Sequence, residues 1–218
     1  KIYPELETIK KEVLFVHYDM VQAQVVFLSK DKLFDKTLMP EARAFGEYFG
    51  SGLSSIVFQE IRETKALAYS AFAGFSTPAN TDEAHYIRAA VYTQADKMQQ
   101  AIEAMMEIMN TMPKAEEQFN QSRMAVMKQI ESERITKSGV FWNYESAKRR
   151  GLDYDIRKDI YAEMQTMTID DMQAFFDDYI ANRKYTILVL GDRTKLDINY
   201  LKTLGEYKEL SLEEIFGY

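Results

Sequence analysis

Between Tyr69 and Gln94 the apolar residues of this chain recur at every second position, and the segments flanking that stretch repeat every three or four. This change of period constrains the fold more than any other feature. Tyr69, Ala71, Ala73 and Phe75 fall on one side, with Ser70, Phe72 and Gly74 on the other. Successive side chains of a strand point to opposite faces, so the pattern predicts a strand and not a helix. Thr77-Pro-Ala-Asn-Thr-Asp82 has turn chemistry, and Ala84 to Gln94 resumes the alternation. The two runs are expected to form a hairpin set between helices.

The remaining segments fill in around that hairpin. Glu12–His17 and Gln22–Leu28 read as two further strands. Pro40 suits the first turn of a helix that carries Ala42, Phe45, Tyr48 and Phe49 as far as Gly50. Ser51 is the expected N-cap of a second helix, with Leu53, Ile56, Val57 and Ile61 on its apolar face and Ser55, Gln59 and Arg62 on another. Asp96 is expected to cap a helix bearing Met98, Ile102, Met105, Met106 and Met109, and Pro113 separates it from a long helix over Lys114–Ile135. Ser138–Arg150 reads as an amphipathic helix with a basic last turn, closed by Gly151. Thr168 with Asp171 resembles a capping box ahead of Met172, Phe175, Phe176 and Tyr179. Arg183–Leu190 is a buried-type strand, and short helices follow at Asp197–Leu204 and Ser211–Phe216. The predicted fold class is α+β, an antiparallel-rich sheet covered by helices. Residues 1–218 are read as one domain, with the turn around Asp153–Arg157 the only hint of a lobe boundary.

Composition removes several functions. The chain has no Cys and only two His. A catalytic zinc needs three protein ligands, commonly including two His four positions apart on one helix. His17 and His85 lie far apart, in predicted strands, without H-E-x-x-H or H-x-x-E-H around them. No metal or other cofactor is therefore expected in this chain, and both histidines read as ordinary strand residues. A net charge of −7 disfavours nucleic acid as a partner. The apolar run Tyr185–Leu190 stops well short of the ~20 residues of a membrane span. The absence of a charged-then-apolar leader at Lys1 is read as a removed signal or an excised piece of a longer polypeptide.

Other motifs have plain explanations. No G-x-S-x-G elbow occurs, and Gly50-Ser51-Gly52-Leu53-Ser54-Ser55 lacks the G-K-[ST] ending of a phosphate loop, so it reads as a tight turn and an N-cap. The methionines of Met98–Met112 fall at helical spacing and read as core. Glu116, Glu117, Glu131 and Glu133 read as a solvated helix face.

One segment carries more. Tyr48 to Ser70 reads Y-F-G-S-G-L-S-S-I-V-F-Q-E-I-R-E-T-K-A-L-A-Y-S. It resembles the C-terminal-half signature of the inverted-zincin family of insulin-degrading enzyme, pitrilysin and mitochondrial processing peptidase. In that signature a glycine-rich turn opens a helix reading S-x-L-x-x-x-[IL]-R-E-x-x-x-L-x-Y-[SA], matched here nearly throughout by Ser55 to Ser70. A weaker likeness runs through the strand pair, the paired helices, Thr168–Tyr179 and the closing Val189-Leu-Gly-Asp192.

The resemblance implies a clamshell of two α+β halves. One half holds zinc on an H-x-x-E-H helix, and the other closes over the peptide substrate. It also implies that an Arg and a Tyr seven positions later reach from the second half into the active site, here Arg62 and Tyr69. Residue chemistry suits those roles. A phenol O–H can donate to a developing oxyanion, and a guanidinium offers fixed donors to substrate carbonyls. Outside that signature Arg62 would read as a helix-end cation and Tyr69 as a strand aromatic. The partners implied are a zinc-bearing half, in cis or in trans, and a peptide, with homo- or hetero-dimer assembly open. The alternative function is a non-catalytic assembly subunit of the same fold.

Overall fold

The computed structural model describes residues 4–217. Six strands form one sheet: β1 Glu12–His17, β2 Gln22–Leu33, β3 Ser70–Phe75, β4 Ala84–Gln94, β5 Thr186–Gly191 and β6 Glu206–Glu209. Their order across the sheet is β3-β4-β2-β5-β1-β6. β2 pairs antiparallel with β4 and β5, β3 pairs antiparallel with β4, and β1 pairs parallel with both β5 and β6. The hairpin is present, with Ala71 opposite Val91 and Phe75 opposite Ile87. The fold is α+β with a mostly antiparallel sheet.

The sheet is accompanied by helices α1 Met39–Phe45, α2 Met98–Asn110, α3 Glu116–Ser132, α4 Lys137–Arg149, α5 Arg157–Thr166, α6 Ile169–Tyr179, α7 Ile198–Thr203 and α8 Leu212–Phe216. Alternate strand residues such as Val13, Phe15, Val25, Phe27, Ile87 and Val91 are buried together with Phe45, Ile102, Met105 and Phe176. Each such large side chain contributes about 1.5–3 kcal/mol on leaving water. Opposite positions, among them Phe72, Tyr92, Val26 and Leu188, remain half-buried or exposed. The core therefore sits on one face of the sheet.

Two stretches wind more widely than an α-helix. Gly46–Gly50 prolongs α1 as a π-helix, and Phe58–Thr64 is a second one. In the first, a Cβ on Gly50 would lie 1.9 Å from the Ala73 carbonyl oxygen, so only glycine lets this helix end approach β3 so closely. Tyr48, fully buried, locks the same end. Its hydroxyl donates to Pro113 O at 2.7 Å and accepts from Ala115 N–H at 3.0 Å.

Several local expectations change. Ser55, not Ser51, starts the second helix. Its hydroxyl accepts from Phe58 N–H at 3.3 Å and donates to Gly52 O at 2.9 Å, and the side chain is fully buried. Leu53 lies in the turn before it and is exposed. Asp96 sits in a short 3-10 turn, Ala95–Lys97, ahead of α2, whose N-cap Lys97 has no side-chain cap bond. The Asp153–Arg157 turn leads into α5, so it marks a helix start. β6 had no sequence signal, since Glu-Tyr-Lys-Glu is short and polar. The capping box at Thr168 and Asp171 is present, as are the caps at Asp197 and Ser211.

Candidate functional site

Arg62 lies in the last turn of the Phe58–Thr64 π-helix, which Lys65 ends through its N–H on Glu60 O at 3.1 Å. The chain then reverses. Ala66 takes φ +48, a left-handed conformation that costs a side-chain-bearing residue about 1–2 kcal/mol. Leu67 N–H returns to Ile61 O at 3.0 Å. Tyr69 N–H bonds Tyr92 O at 2.9 Å and leads into β3.

β4 and the turn after it hold this reversal in place. The buried Thr93 hydroxyl donates to Leu67 O at 2.5 Å, and Lys97 Nζ donates to Ala66 O at 3.0 Å. Lys65 pairs with Glu107 of α2 at 3.1 Å. With these anchors the backbone that carries Arg62 and Tyr69 is tied to both the sheet and α2. Thr93 and Lys97 were not singled out from sequence. The signal available was the alternation, which puts the Thr93 hydroxyl on the buried face, where it requires a partner.

The Arg62 guanidinium lies between two rings, 4.8 Å from the centre of Phe58 and 5.6 Å from that of Tyr69. Contacts of this kind contribute about 0.5–1 kcal/mol at an exposed position. Among the described residues its only ion pair is with its neighbour Glu63, at 3.5 Å. Tyr69 is 73% exposed, and among the described residues its hydroxyl has no hydrogen-bond partner. The two predicted residues are thus brought together at one corner of the sheet. There they border an open cleft of about 520 Å³, lined also by Gln22, Ala66, Gln94 and Lys97.

Other candidates are accounted for structurally. His85 is fully buried. Its Nε2 accepts from Asp35 N–H at 3.0 Å, so Nδ1 carries the proton and donates to Ser76 O at 2.7 Å. Both ring nitrogens are used, and burial pushes the imidazole pKa down. His17 Nδ1 accepts from Arg193 N–H at 3.2 Å. Among the described residues no three His, Asp or Glu side chains are grouped to hold a metal, so these residues do not fit zinc. Gly52 O is occupied by Ser55, consistent with a capped turn. At the end of β5, Asp192 accepts from Thr194 and Lys195, and these partners hold its carboxyl well below the usual carboxylate range.

The family model described as the peptidase M16 inactive domain matches residues 3–126, more than half of the chain and the whole of this corner. The chain belongs to the peptidase M16 inactive-domain family. The M16 fold extends past the matched segment. The peptidase M16 inactive domain from Pseudomonas fluorescens superposes with a TM-score of 0.71 over 86% of this chain at 12% identity. A protease from Helicobacter pylori gives 0.71 over 87% at 16% identity, and a conserved protein from Enterococcus faecalis gives 0.70 over 88% at 14%. This chain covers 45%, 47% and 44% of those three chains, so it spans less than half the length of each. Among curated proteins, no sequence matches it.

Proposed function

We propose that this inactive M16 domain is the substrate-holding, transition-state-supporting half of a zinc endopeptidase, with Arg62 and Tyr69 as the residues that reach the substrate. It acts as one domain beside a second half, in the same polypeptide or on a partner subunit. That second half supplies the zinc, the attacking water and the base. The observation that carries the reading is the exposed Tyr69 hydroxyl, without a partner among the described residues, beside Arg62 on a reversal anchored at Thr93 and Lys97.

Attack on a peptide carbonyl moves negative charge onto its oxygen. A neutral phenol that donates to that oxygen stabilises the charge more in the transition state than in the bound substrate. Arg62 keeps its charge and offers several donors in a fixed fork, which suits main-chain carbonyls of the peptide on either side of the scissile bond. The π-helix and the Ala66 reversal aim both side chains outward from a rigid corner.

The test uses the intact two-half protein. Tyr69→Phe keeps the ring over Arg62 but removes the donor, so kcat falls by ~10²–10³ with KM little changed. Arg62→Ala raises KM as well as lowering kcat, because an anchor on the main chain acts in both ground and transition states. Tyr69 is largely exposed, so the stability of Tyr69→Phe by urea unfolding stays within about 0.5 kcal/mol of the parent, whereas Arg62→Ala, which gives up a half-buried side chain over two rings, loses about 1 kcal/mol. Turnover by Tyr69→Phe close to the parent's would remove the catalytic role and leave the assembly-subunit reading in its place.

A further inference from the structure

The cleft beside Arg62 and Tyr69 is rich in hydrogen-bond donors and poor in acceptors. Gln22 and Gln94, paired across β2 and β4, both line it, and Lys97 follows on the short turn Ala95–Lys97 that precedes α2. With Arg62 and Tyr69 they present amide, ammonium, guanidinium and phenol donors to whatever enters. Among the described residues Glu63 is the one carboxylate that lines the cleft, and it lies 3.5 Å from the Arg62 guanidinium. The Thr93 hydroxyl is already committed to Leu67 O.

Lys97 differs from the others in this set. An ammonium carries three donors and accepts nothing. Ala66 O takes one of them at 3.0 Å, and among the described residues the group makes no ion pair. Donors and a full charge are therefore left over at the cleft. The tether to Ala66 also matters for binding. A free lysine loses rotamer freedom when it grips a ligand, whereas this half-buried side chain is already held, so less ordering opposes the contact. Charge acts in the same direction. The chain carries a net −7, yet the cleft is lined by two cations, Arg62 and Lys97, against one carboxylate. An anionic group is drawn to this corner and repelled by much of the remaining surface.

We infer that the cleft selects peptides by a carboxylate held on Lys97, with the amides of Gln22 and Gln94 beside it, and that Lys97 is its specificity-determining residue. The carboxylate is an acidic side chain or the C terminus of the peptide. It is the acceptor-only group that a donor-rich pocket matches, and a charge-assisted contact is about twice as strong as a neutral one. The inference rests on the reading above in taking a peptide as the ligand of this cleft. Its role is separate from those of Arg62 and Tyr69. Main-chain carbonyls occur in every peptide, so those two residues hold all sequences alike, whereas Lys97 tells one sequence from another.

Fluorescence anisotropy on the intact protein, with metal removed by chelation so that no peptide is cut, tests this. The probes are alanine-rich peptides bearing an uncharged dye and one glutamate placed at each position in turn, each compared with its glutamine counterpart. A second arm compares a C-terminal acid with the C-terminal amide, and the arm that shows the preference identifies the source of the carboxylate. The charged member of at least one pair should bind about 10-fold more tightly, by a margin that shrinks as salt is raised. Lys97→Met should bring that ratio to within about twofold, and Lys97→Arg should keep most of it. The ratio is the readout because losing the tether to Ala66 shifts both members of a pair together. A ratio unchanged in Lys97→Met overturns the inference, as does equal binding of charged and neutral partners throughout, or no binding of any acidic peptide. A preference abolished by Lys97→Met alongside parent-like turnover by Tyr69→Phe would keep the selecting site and sink the oxyanion role. Loss of turnover in Tyr69→Phe with no carboxylate preference would do the opposite.

Discussion

The two ends of β3 are built on opposite plans. At its end, Phe75 packs against His85 at 4.8 Å and Phe175 at 5.3 Å, and His85 has both nitrogens satisfied. Across the strand's middle, Ala73 receives the Gly50 backbone with no room for a Cβ. At its start, a left-handed alanine turns the chain so that Tyr69 projects into solvent with a hydroxyl that has no partner among the described residues, beside a guanidinium that pairs with its neighbour Glu63. One strand therefore serves as a packed base and as the support of an open corner. The lesson is that the exposed pair is fixed by what is buried behind it.

That contrast can be broken at three places. The largest effect is expected from Gly50→Ala, because the added methyl meets backbone that cannot swing away. The loss should be about 3 kcal/mol or more, roughly 10 °C in Tm for a chain of this size. A thermal melt matching the parent's would mean that the helix end does not press on β3 as described. His85→Ala comes next. It leaves the Ser76 carbonyl and the Asp35 amide without their partner and should cost about 2–3 kcal/mol by urea unfolding at neutral pH.

The pH dependence of that difference is a sharper readout. Burial depresses the folded pKa of His85, so the neutral form is favoured in the native state. Below the ordinary value near 6.5 the unfolded chain takes up a proton that the folded one refuses. Stability from this group is thus complete above about 6.5 and declines as the pH drops toward the depressed folded value. The gap between parent and His85→Ala should narrow from about pH 7.5 to about pH 5, and a gap that widened would contradict the buried neutral imidazole. The smallest effect belongs to the open corner. Ala66→Gly removes the cost of the left-handed conformation and should raise stability by about 1 kcal/mol, measured by the shift in urea midpoint. A destabilised variant would show that the reversal is not held in that conformation.

Most of the fold was readable because period and capping are local. The alternation from Tyr69 to Gln94 gave the hairpin, and Thr168 with Asp171 gave a helix start to the residue. What was missed depends on distant partners. Nothing near Glu12 or Gln22 says that β5, some 160 residues on, enters between β1 and β2. Ser51 and Ser55 are equally good caps by composition, and the close seat of Gly50 on β3 decides between them by leaving the intervening turn outside. Arg62 and Tyr69 were legible as a pair through the signature around them. Their anchors, Thr93 and Lys97, are spread over another strand and its exit and had no motif to announce them.

The π-helix before Arg62 has one more consequence. Its backbone bonds reach five residues back, as from Lys65 to Glu60, so each turn holds about one residue more than an α-turn does. Phase along this segment is consequently set by an insertion. Removing a single residue between Phe58 and Ile61 would let the stretch relax to ordinary winding with everything upstream kept nearly in phase with Arg62, because one residue fewer at about 100° apiece turns through nearly the same angle. Relatives that carry a one-residue gap here would then keep the same arginine and tyrosine spacing and nearly the same neighbours behind it, so an alignment gap in this segment reports a change of pitch and not the loss of a loop.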